Sequence, residues 1–315
     1  MLLTTGQLDT IPPPIPLVDG WLFRDSLAWL YGPSGSGKSF VAVDIAMHVG
    51  TGKAWHGHTT EQGKVLYMIA EGASGMRSRT AAWKEAHGDD EDSVQWLPTA
   101  VNMYAPLESA EMIEACRVVQ PDLIIIDTLA RASTGAEENS AKDAGILIQN
   151  MDLLRVASGG ACVLMIHHTG KDKTLGGRGS SAFKGAVESE IEVDGGLTRL
   201  DVKNTKQKNI EHSPMIQFFG EPQLVSGSVA LRRLGPEAVP RTDEVTDLDI
   251  YRCLWDVYDG TNPVTSQQWA GMVLDRLGIT RTPFYARKKQ IIEGHPDWIN
   301  TTTKKGSFIP IEAFE

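Results

Sequence analysis

Residues 32–39 read Gly-Pro-Ser-Gly-Ser-Gly-Lys-Ser and fit the spacing G-x-x-x-x-G-K-[ST]. Glycines let such a loop curl so that its backbone N–H groups face phosphate oxygens, and a following helix adds the positive end of its dipole. Lys38 would reach the β- and γ-phosphates, and the Ser39 hydroxyl would bind Mg²⁺. The pattern predicts a nucleoside triphosphate site, although a glycine-rich surface turn would fit the same letters. The predicted nucleotide-binding residues are Gly32, Pro33, Ser34, Gly35, Ser36, Gly37, Lys38, Ser39 and Phe40.

Two acids follow buried apolar runs. Glu71 comes after residues 65–70, and Asp127 closes residues 123–126. Ligands of open α/β sheets gather at the carboxyl ends of strands, where both acids are expected. Glu71 could orient and deprotonate the water that attacks the γ-phosphate, or it could simply cap a helix over residues 74–86. Asp127 is predicted to hold Mg²⁺ directly or through a coordinated water.

A third buried run, residues 161–166, ends in His167 and His168. Adjacent residues of a strand point to opposite faces, so one histidine should face the site and the other should pack. The histidine that faces the site could sense the γ-phosphate. A metal site with His56 and His58 is the alternative, but the spacing and the lack of partner acids argue against it.

The segment that follows, residues 169–184, is rich in glycine and basic residues. It either contacts the phosphate backbone of a nucleic acid or is a plain surface excursion. Its candidate DNA-binding residues are Lys171, Lys173, Arg178 and Lys184.

The elements around these residues predict an α/β fold with a mainly parallel central sheet. The apolar run 27–31 precedes the loop, and an apolar helical pattern follows it up to residues 50–52. Residues 132–142 predict a loop before a helix over 143–156, and further strands are expected at 197–202, 215–219 and 226–232.

The 315 residues suffice for a core of about 230 residues and a smaller domain. A net charge of −10 argues against coating nucleic acid by bulk attraction, so DNA contacts must be local. Three cysteines without paired spacing imply neither a disulfide framework nor a zinc site, and no apolar run has the length of a membrane span. These features predict a cytoplasmic protein without membrane contact.

Four segments are predicted: an N-terminal arm (1–24), the core (25–235), a linker (236–246) and a C-terminal domain (247–315). Prolines hold residues 11–16 of the arm extended. The arm either reaches a neighbouring subunit or straps its own domain.

The C-terminal segment predicts a winged helix-turn-helix. Helices are expected over 248–258, 266–277 and 283–293, followed by a hairpin of residues 298–302 and 307–311. Between residues 276 and 305, seven basic and two acidic residues give a local charge of +5. This patch could bind DNA, although winged helices also dock on proteins. Its candidate DNA-binding residues are Arg281, Arg287, Lys288, Lys289, Lys304 and Lys305.

Residues 15–235 resemble the RecA-like ATPase core of hexameric helicases of the replicative DnaB type and the plasmid RepA type. The similarity extends to a phage and plasmid branch through residues 127–131 (Asp-Thr-Leu-Ala-Arg), 138–143 (Glu-Asn-Ser-Ala-Lys-Asp) and 167–172 (His-His-Thr-Gly-Lys-Asp). The resemblance implies an ATP-phosphate role for Lys38, Mg²⁺ ligands in Ser39 and Asp127, a base in Glu71 and a sensor in His168. It also implies that residues 131–143 and 169–184 grip single-stranded DNA.

Residues 203–209 resemble the hairpin that such helicases insert into the neighbouring subunit's nucleotide. Lys208 stands where that family has an arginine finger, and an ammonium lacks the planar fork suited to a transferring phosphoryl group. The finger position of the plasmid type corresponds to Glu188, which cannot serve as a cation. Lys206 and Lys208 are therefore the candidates for a trans-acting cation, with a solvated strand edge as the alternative.

The resemblance implies an Mg²⁺-dependent ATPase that forms a hexameric ring and moves on single-stranded DNA as a helicase in phage or plasmid replication. The winged helix would bind duplex DNA or a replication protein. Two alternatives stay open: a recombination or strand-annealing ATPase that forms filaments, and an ATP-switched DNA-binding regulator or loader.

Overall fold

The computed structural model describes residues 4–8, 13–88, 94–169, 181–208, 210–234, 246–258, 262–277, 281–296, 299–301 and 307–310. The chain divides into two compact units, Met1–Arg233 and Leu234–Glu315. No helix in these ranges is long and apolar enough to cross a membrane.

The first unit is built on a nine-stranded sheet with the order β11-β10-β9-β8-β3-β7-β6-β4-β5. Strands β3 to β8 run parallel, and β9, β10 and β11 add an antiparallel extension. The predicted α/β fold with a mainly parallel central sheet is confirmed. The strands are β1 (Pro16–Val18), β2 (Leu22–Phe23), β3 (Ser26–Gly32), β4 (Val65–Ile69), β5 (Val94–Leu97), β6 (Leu123–Asp127), β7 (Cys162–His168), β8 (Ser189–Gly196), β9 (Arg199–Gln207), β10 (Ile216–Pro222) and β11 (Val229–Arg233).

Helices cover both faces of this sheet. Residues of α2 and α3 belong to one apolar cluster, and residues of α4 and α5 belong to the other. Along β3, Ala28 and Leu30 join the first cluster while Leu27 and Trp29 join the second, as the two-residue period of a strand requires. The helices are α1 (Thr5–Leu8), α2 (Lys38–Thr51), α3 (Ala73–His87), α4 (Pro106–Val119), α5 (Ala141–Ala157) and α6 (Ser181–Ala186), with a 3₁₀ turn at Arg131–Ser133.

The second half of the predicted N-terminal arm is a strap on its own unit. β1 pairs with β2, and Leu17, Val18, Trp21 and Leu22 are fully buried in the core. The Asp19 N–H donates to the Thr59 carbonyl at 2.9 Å, which ties the strap to the loop after α2. Apolar side chains therefore pack this segment onto its own unit, and the packed core begins before residue 25.

The antiparallel extension differs in detail from the prediction. β8 was not predicted, because its alternating acidic and apolar residues lack the continuous apolar run of the other core strands. The strands expected at 197–202, 215–219 and 226–232 correspond to β9, β10 and β11, each displaced by a few residues. Residues 170–180, most of the predicted basic loop, lie outside the described residues.

The described residues of the second unit form three helices and a small sheet. These elements are α7 (Asp247–Val257), β12 (Val264–Thr265), α8 (Ser266–Leu277), α9 (Arg281–Gly294), β13 (Ile299–Thr301) and β14 (Ser307–Pro310). The sheet order is β12-β14-β13, antiparallel throughout. Its core includes Tyr251, Trp269, Phe284 and Phe308. The three predicted helices and the hairpin strands are present, β12 is an addition, and most of the predicted linker lies outside the described residues.

Candidate functional site

The glycine-rich loop lies between β3 and α2, at the carboxyl end of the sheet. Gly37 has φ 87°, which favours glycine, and a Cβ there would lie 2.6 Å from Leu200 Cδ2, so the Leu200 side chain would also have to move. Within the described residues, the N–H groups of residues 34, 35, 37, 38 and 39 have no backbone acceptor. The buried Ser36 hydroxyl likewise has no hydrogen-bond partner in that part of the chain. These donors can therefore bind the oxygens of an anion.

Lys38 opens α2 and folds back over the loop. Its Nζ donates to the carbonyl oxygens of Gly32 at 3.0 Å and Pro33 at 2.6 Å. Burial lowers the pKa of Lys38 to about 8, against the opposing charges of Asp127 and Glu71. The two acids predicted from the sequence are thus electrostatically coupled to the loop lysine.

Asp127 ends β6 as a buried carboxylate. Its Oδ2 accepts a hydrogen bond of 2.8 Å from the hydroxyl of Tyr67, which is itself fully buried on β4. Its Oδ1 is buried and accepts no hydrogen bond from any described residue. Burial raises the pKa of Asp127, and the hydroxyls of Tyr67 and nearby Ser39 oppose the shift. An unsatisfied buried carboxylate oxygen beside a hydroxyl fits Mg²⁺, which prefers oxygen ligands.

Glu71 and His168 approach each other at the same edge. The His168 Nε2 lies 4.0 Å from one carboxylate oxygen of Glu71, and the Arg131 Nε lies 3.9 Å from the other. Glu71 follows β4, and Gly72 adopts φ 70° where α3 begins. The strands β4, β6, β7 and β3 are neighbours in the sheet and run parallel. Their carboxyl ends therefore bring together Glu71, Asp127, His168 and the glycine-rich loop.

The two histidines face opposite sides of the sheet, as predicted. His167 is buried and stacks on Trp29 with ring centroids 5.7 Å apart, and its Nε2 lies 3.1 Å from Glu138. His168 is on the face of Glu71. His56 and His58 contact other elements, so the structure does not support a metal site that joins the four histidines.

Sequence reasoning missed Arg79. It lies on α3, and its guanidinium carbon is 4.7 Å from the ring centroid of Phe40, the residue after Ser39. The charge of Arg79 opposes the rise that burial causes in the pKa of Asp127, and no ion pair joins Arg79 to a described residue. The sequence feature that could have identified Arg79 is its position eight residues, or about two helical turns, after Glu71.

Lys206 and Lys208 are not brought to the site of their own chain. In the sheet, Lys206 on β9 pairs with Glu190 on β8, and Glu190 pairs with Trp29 on β3. Trp29 lies three residues before Gly32, where the loop begins. Lys206 Nζ contacts the carbonyl oxygen of Lys184. Lys208 Nζ donates to the Gly185 carbonyl at 3.3 Å and lies 3.6 Å from Glu188. Burial lowers the pKa of Lys206.

The predicted DNA-binding residues of the first unit are mostly outside the described residues. These are Lys171, Lys173 and Arg178. Lys184 is described and exposed, on α6.

The described cations of the second unit have partners nearby. Arg287 bonds Asp247 at 2.8 Å, and Lys288 Nζ donates to Ser266 Oγ at 2.9 Å. Lys289 Nζ lies 3.8 Å from Glu293, with 76% of the Lys289 side chain exposed. Arg281 begins α9, while Lys304 and Lys305 lie outside the described residues. Of the three described side chains, Lys289 is therefore the most exposed.

Comparisons with known proteins agree with this geometry. Residues 2–174 match the AAA domain family AAA_25. No curated protein matches the sequence significantly.

Two similar solved structures are archaeal. The KaiC-like protein PH0186 of Pyrococcus horikoshii OT3 is 13% identical, with a TM-score of 0.48 over 69% of this chain and 93% of that one. The flagellar accessory protein FlaH of Methanocaldococcus jannaschii is 15% identical, with a TM-score of 0.44 over 66% and 90%.

The family match covers the glycine-rich loop and the strands that end at Glu71, Asp127 and His168. The same residues form one cluster at the sheet edge. The chain therefore belongs to the AAA domain family, and residues 32–39 are its phosphate-binding loop motif.

Proposed function

We propose that this protein hydrolyses ATP with Mg²⁺ and uses the reaction to move on single-stranded DNA as a ring-forming translocase or helicase. Phage or plasmid DNA replication is the setting that its resemblance to hexameric helicases favours. The observation that carries the ATPase part is the convergence of Lys38, Asp127, Glu71 and His168 at the ends of four adjacent strands.

Each residue has a role that follows from its position. Lys38 and the loop N–H groups bind the β- and γ-phosphates, and the Arg79 guanidinium adds a further cation beside them. Ser39 and Asp127 would hold Mg²⁺, which supplies neutralising charge on the phosphates when bound.

Glu71 is the proposed base because its exposed carboxylate is accessible to water. His168, 4.0 Å from Glu71, is the proposed sensor. A change in the contact between His168 and the nucleotide would alter the position of Thr169 and the basic segment after it.

A neighbouring copy completes the proposed site. Lys206 and Lys208 contact residues 184, 185 and 188 of their own chain and not the loop, so we propose that they act on the nucleotide of the next subunit in a hexameric ring. An ammonium stabilises a transferring phosphoryl group less well than a guanidinium fork, so slow hydrolysis without DNA is expected.

DNA contact is proposed for residues 131–143 and 169–184 in the first unit and for the winged-helix-like second unit. With a net charge of −10, binding depends on these local cations, and the second unit could equally bind a replication protein.

The second candidate function is an ATP-switched DNA-binding regulator or loader. The contacts of Lys206 and Lys208 with carbonyl groups and Glu188 favour it, because a cation held in its own chain is less available in trans. A recombination or annealing ATPase is the third, and the same experiment separates them.

The test is ATP hydrolysis with and without single-stranded DNA, followed by unwinding of a forked duplex. The proposal predicts strong DNA stimulation and unwinding with one polarity. Strand pairing without unwinding would identify an annealing ATPase. Unstimulated hydrolysis with tight binding to a specific duplex would identify the ATP-switched regulator. Either of these two results would refute the translocase proposal. Lys208→Ala should lose stimulation. Lys64→Ala is the control, because Lys64 Nζ donates to the Val119 carbonyl and has no proposed role, and it should keep stimulation.

A further inference from the structure

A compact group of three metal-binding residue types lies on α2 and the loop after it, apart from the nucleotide site. Asp44 and His48 are one helical turn apart, and His56 folds back onto them. His56 Nε2 lies 2.8 Å from Asp44 Oδ2, and His48 Nδ1 lies 3.5 Å from Asp44 Oδ1. The candidate ligand atoms of the three residues all lie within 4.8 Å of one another.

Hydrogen bonds within the protein account for only part of this group. His48 Nδ1 lies 2.7 Å from the backbone carbonyl oxygen of Asp44, which leaves Nε2 of His48 as its candidate ligand atom. Asp44 Oδ2 accepts a 2.8 Å hydrogen bond from Trp55 Nε1, whereas Oδ1 is buried and accepts none from any described residue. The Asp44 side chain is 3% exposed. A buried carboxylate oxygen without a partner is costly, and in native proteins it commonly indicates a water or an ion.

The surroundings are suited to holding a cation away from solvent. The Phe218 ring centroid is 4.6 Å from that of His56, and the Trp83 ring centroid is 5.2 Å from that of His48. His87 also packs against His48, with ring centroids 5.1 Å apart. Apolar rings around a set of ligands limit water access and strengthen charge interactions within it.

We propose that Asp44, His48 and His56 form a second metal site, which binds a divalent transition metal of the Zn²⁺ type. Two imidazole nitrogens and one carboxylate oxygen are ligands that Zn²⁺ accepts, and a water would complete four-coordination. Mg²⁺ is disfavoured because it requires mostly oxygen ligands. The ion would tie α2, which begins with Lys38, to the loop that carries His56.

The test uses the full-length protein, freed of metal with a chelator and dialysed, in the absence of nucleotide. Zn²⁺ should bind with one equivalent by calorimetry and raise the unfolding temperature. Co²⁺ in its place should give the visible absorption of a tetrahedral nitrogen and oxygen site. That spectrum is measured on the wild type, so it does not depend on the folding of any variant.

Three substitutions locate the ion. His56→Gln should weaken Zn²⁺ binding by about tenfold or more. His58→Gln is the matched control on the same loop, because His58 contacts Asp19 and Trp21 instead, and it should bind as the wild type does. Asp127→Asn should also keep Zn²⁺ binding. Absence of stoichiometric Zn²⁺ and of the Co²⁺ spectrum, equal loss in both histidine variants, or loss in Asp127→Asn would each overturn the proposal.

Discussion

Removing the Tyr67 hydroxyl tests how the buried acid is held. In the Tyr67→Phe variant, Asp127 Oδ2 loses the 2.8 Å hydrogen bond from a fully buried neighbour. Asp127 Oδ1 already accepts no hydrogen bond from the described residues, so the carboxylate would lose its orienting partner. We expect both the stability of the nucleotide-free protein and its use of Mg²⁺ to suffer.

The size of the effect follows from the chemistry of the pair. A hydrogen bond to a charged group contributes about 1.5–3 kcal/mol, so the free energy of unfolding should fall by that amount. Loss of a group that orients a metal ligand typically weakens metal binding or activity by about 10- to 100-fold. The Mg²⁺ concentration for half-maximal ATP hydrolysis should therefore rise by roughly that factor.

Tyr31→Phe is the matched control. Tyr31 lies on β3, and its hydroxyl is 3.1 Å from Thr205 Oγ1, a neutral partner away from Asp127. Its loss should cost only about 0.5–1.5 kcal/mol and leave the Mg²⁺ requirement unchanged. Urea unfolding and Mg²⁺ titration of the ATPase measure both effects. Equal Mg²⁺ requirements in the two variants and the wild type would refute the reasoning.

Three further predictions concern single side chains. Burial lowers the pKa of Lys38 to about 8, so the affinity for an ATP analogue should fall between about pH 7 and about pH 9 as the ammonium loses its proton. Lys38→Arg should flatten this pH dependence. The same pH dependence in wild type and Lys38→Arg would contradict the prediction. Arg79→Ala should weaken nucleotide binding roughly tenfold or more, and the exposed control Arg77→Ala should not, by fluorescence titration. Burial raises the pKa of Cys116 to about 11 and that of Cys162 to about 12, so a thiol reagent at about pH 8 should label neither cysteine before the protein unfolds. Rapid labelling of either cysteine in the folded protein, detected by mass spectrometry, would contradict this prediction.

The sequence was most informative where one local pattern fixes both an element and its end. The glycine-rich loop and the apolar runs that end in Glu71, Asp127 and His168 predicted strands that the structure confirms. A strand must bury its apolar residues, and parallel strands align their carboxyl ends, so these residues had to meet at one edge.

Contacts between distant elements could not be predicted in this way. Asp44 meets His56 through a loop, and Arg79 meets Phe40 through the packing of two helices. Nothing in the spacing of these residues specifies the path of the intervening chain. The N-terminal strap shows the same limit, because its prolines predict an extended segment but not the surface on which that segment packs.

The most direct test of the account compares ATP binding and single-turnover hydrolysis in the wild type and in Glu71→Gln, with Glu111→Gln on the exposed face of α4 as the control. If Lys38 and Asp127 bind the nucleotide and Glu71 activates the water, Glu71→Gln should bind Mg²⁺-ATP as tightly as the wild type and hydrolyse it about 100-fold more slowly or worse. The control should match the wild type in both measurements. Undiminished hydrolysis by Glu71→Gln would contradict the account.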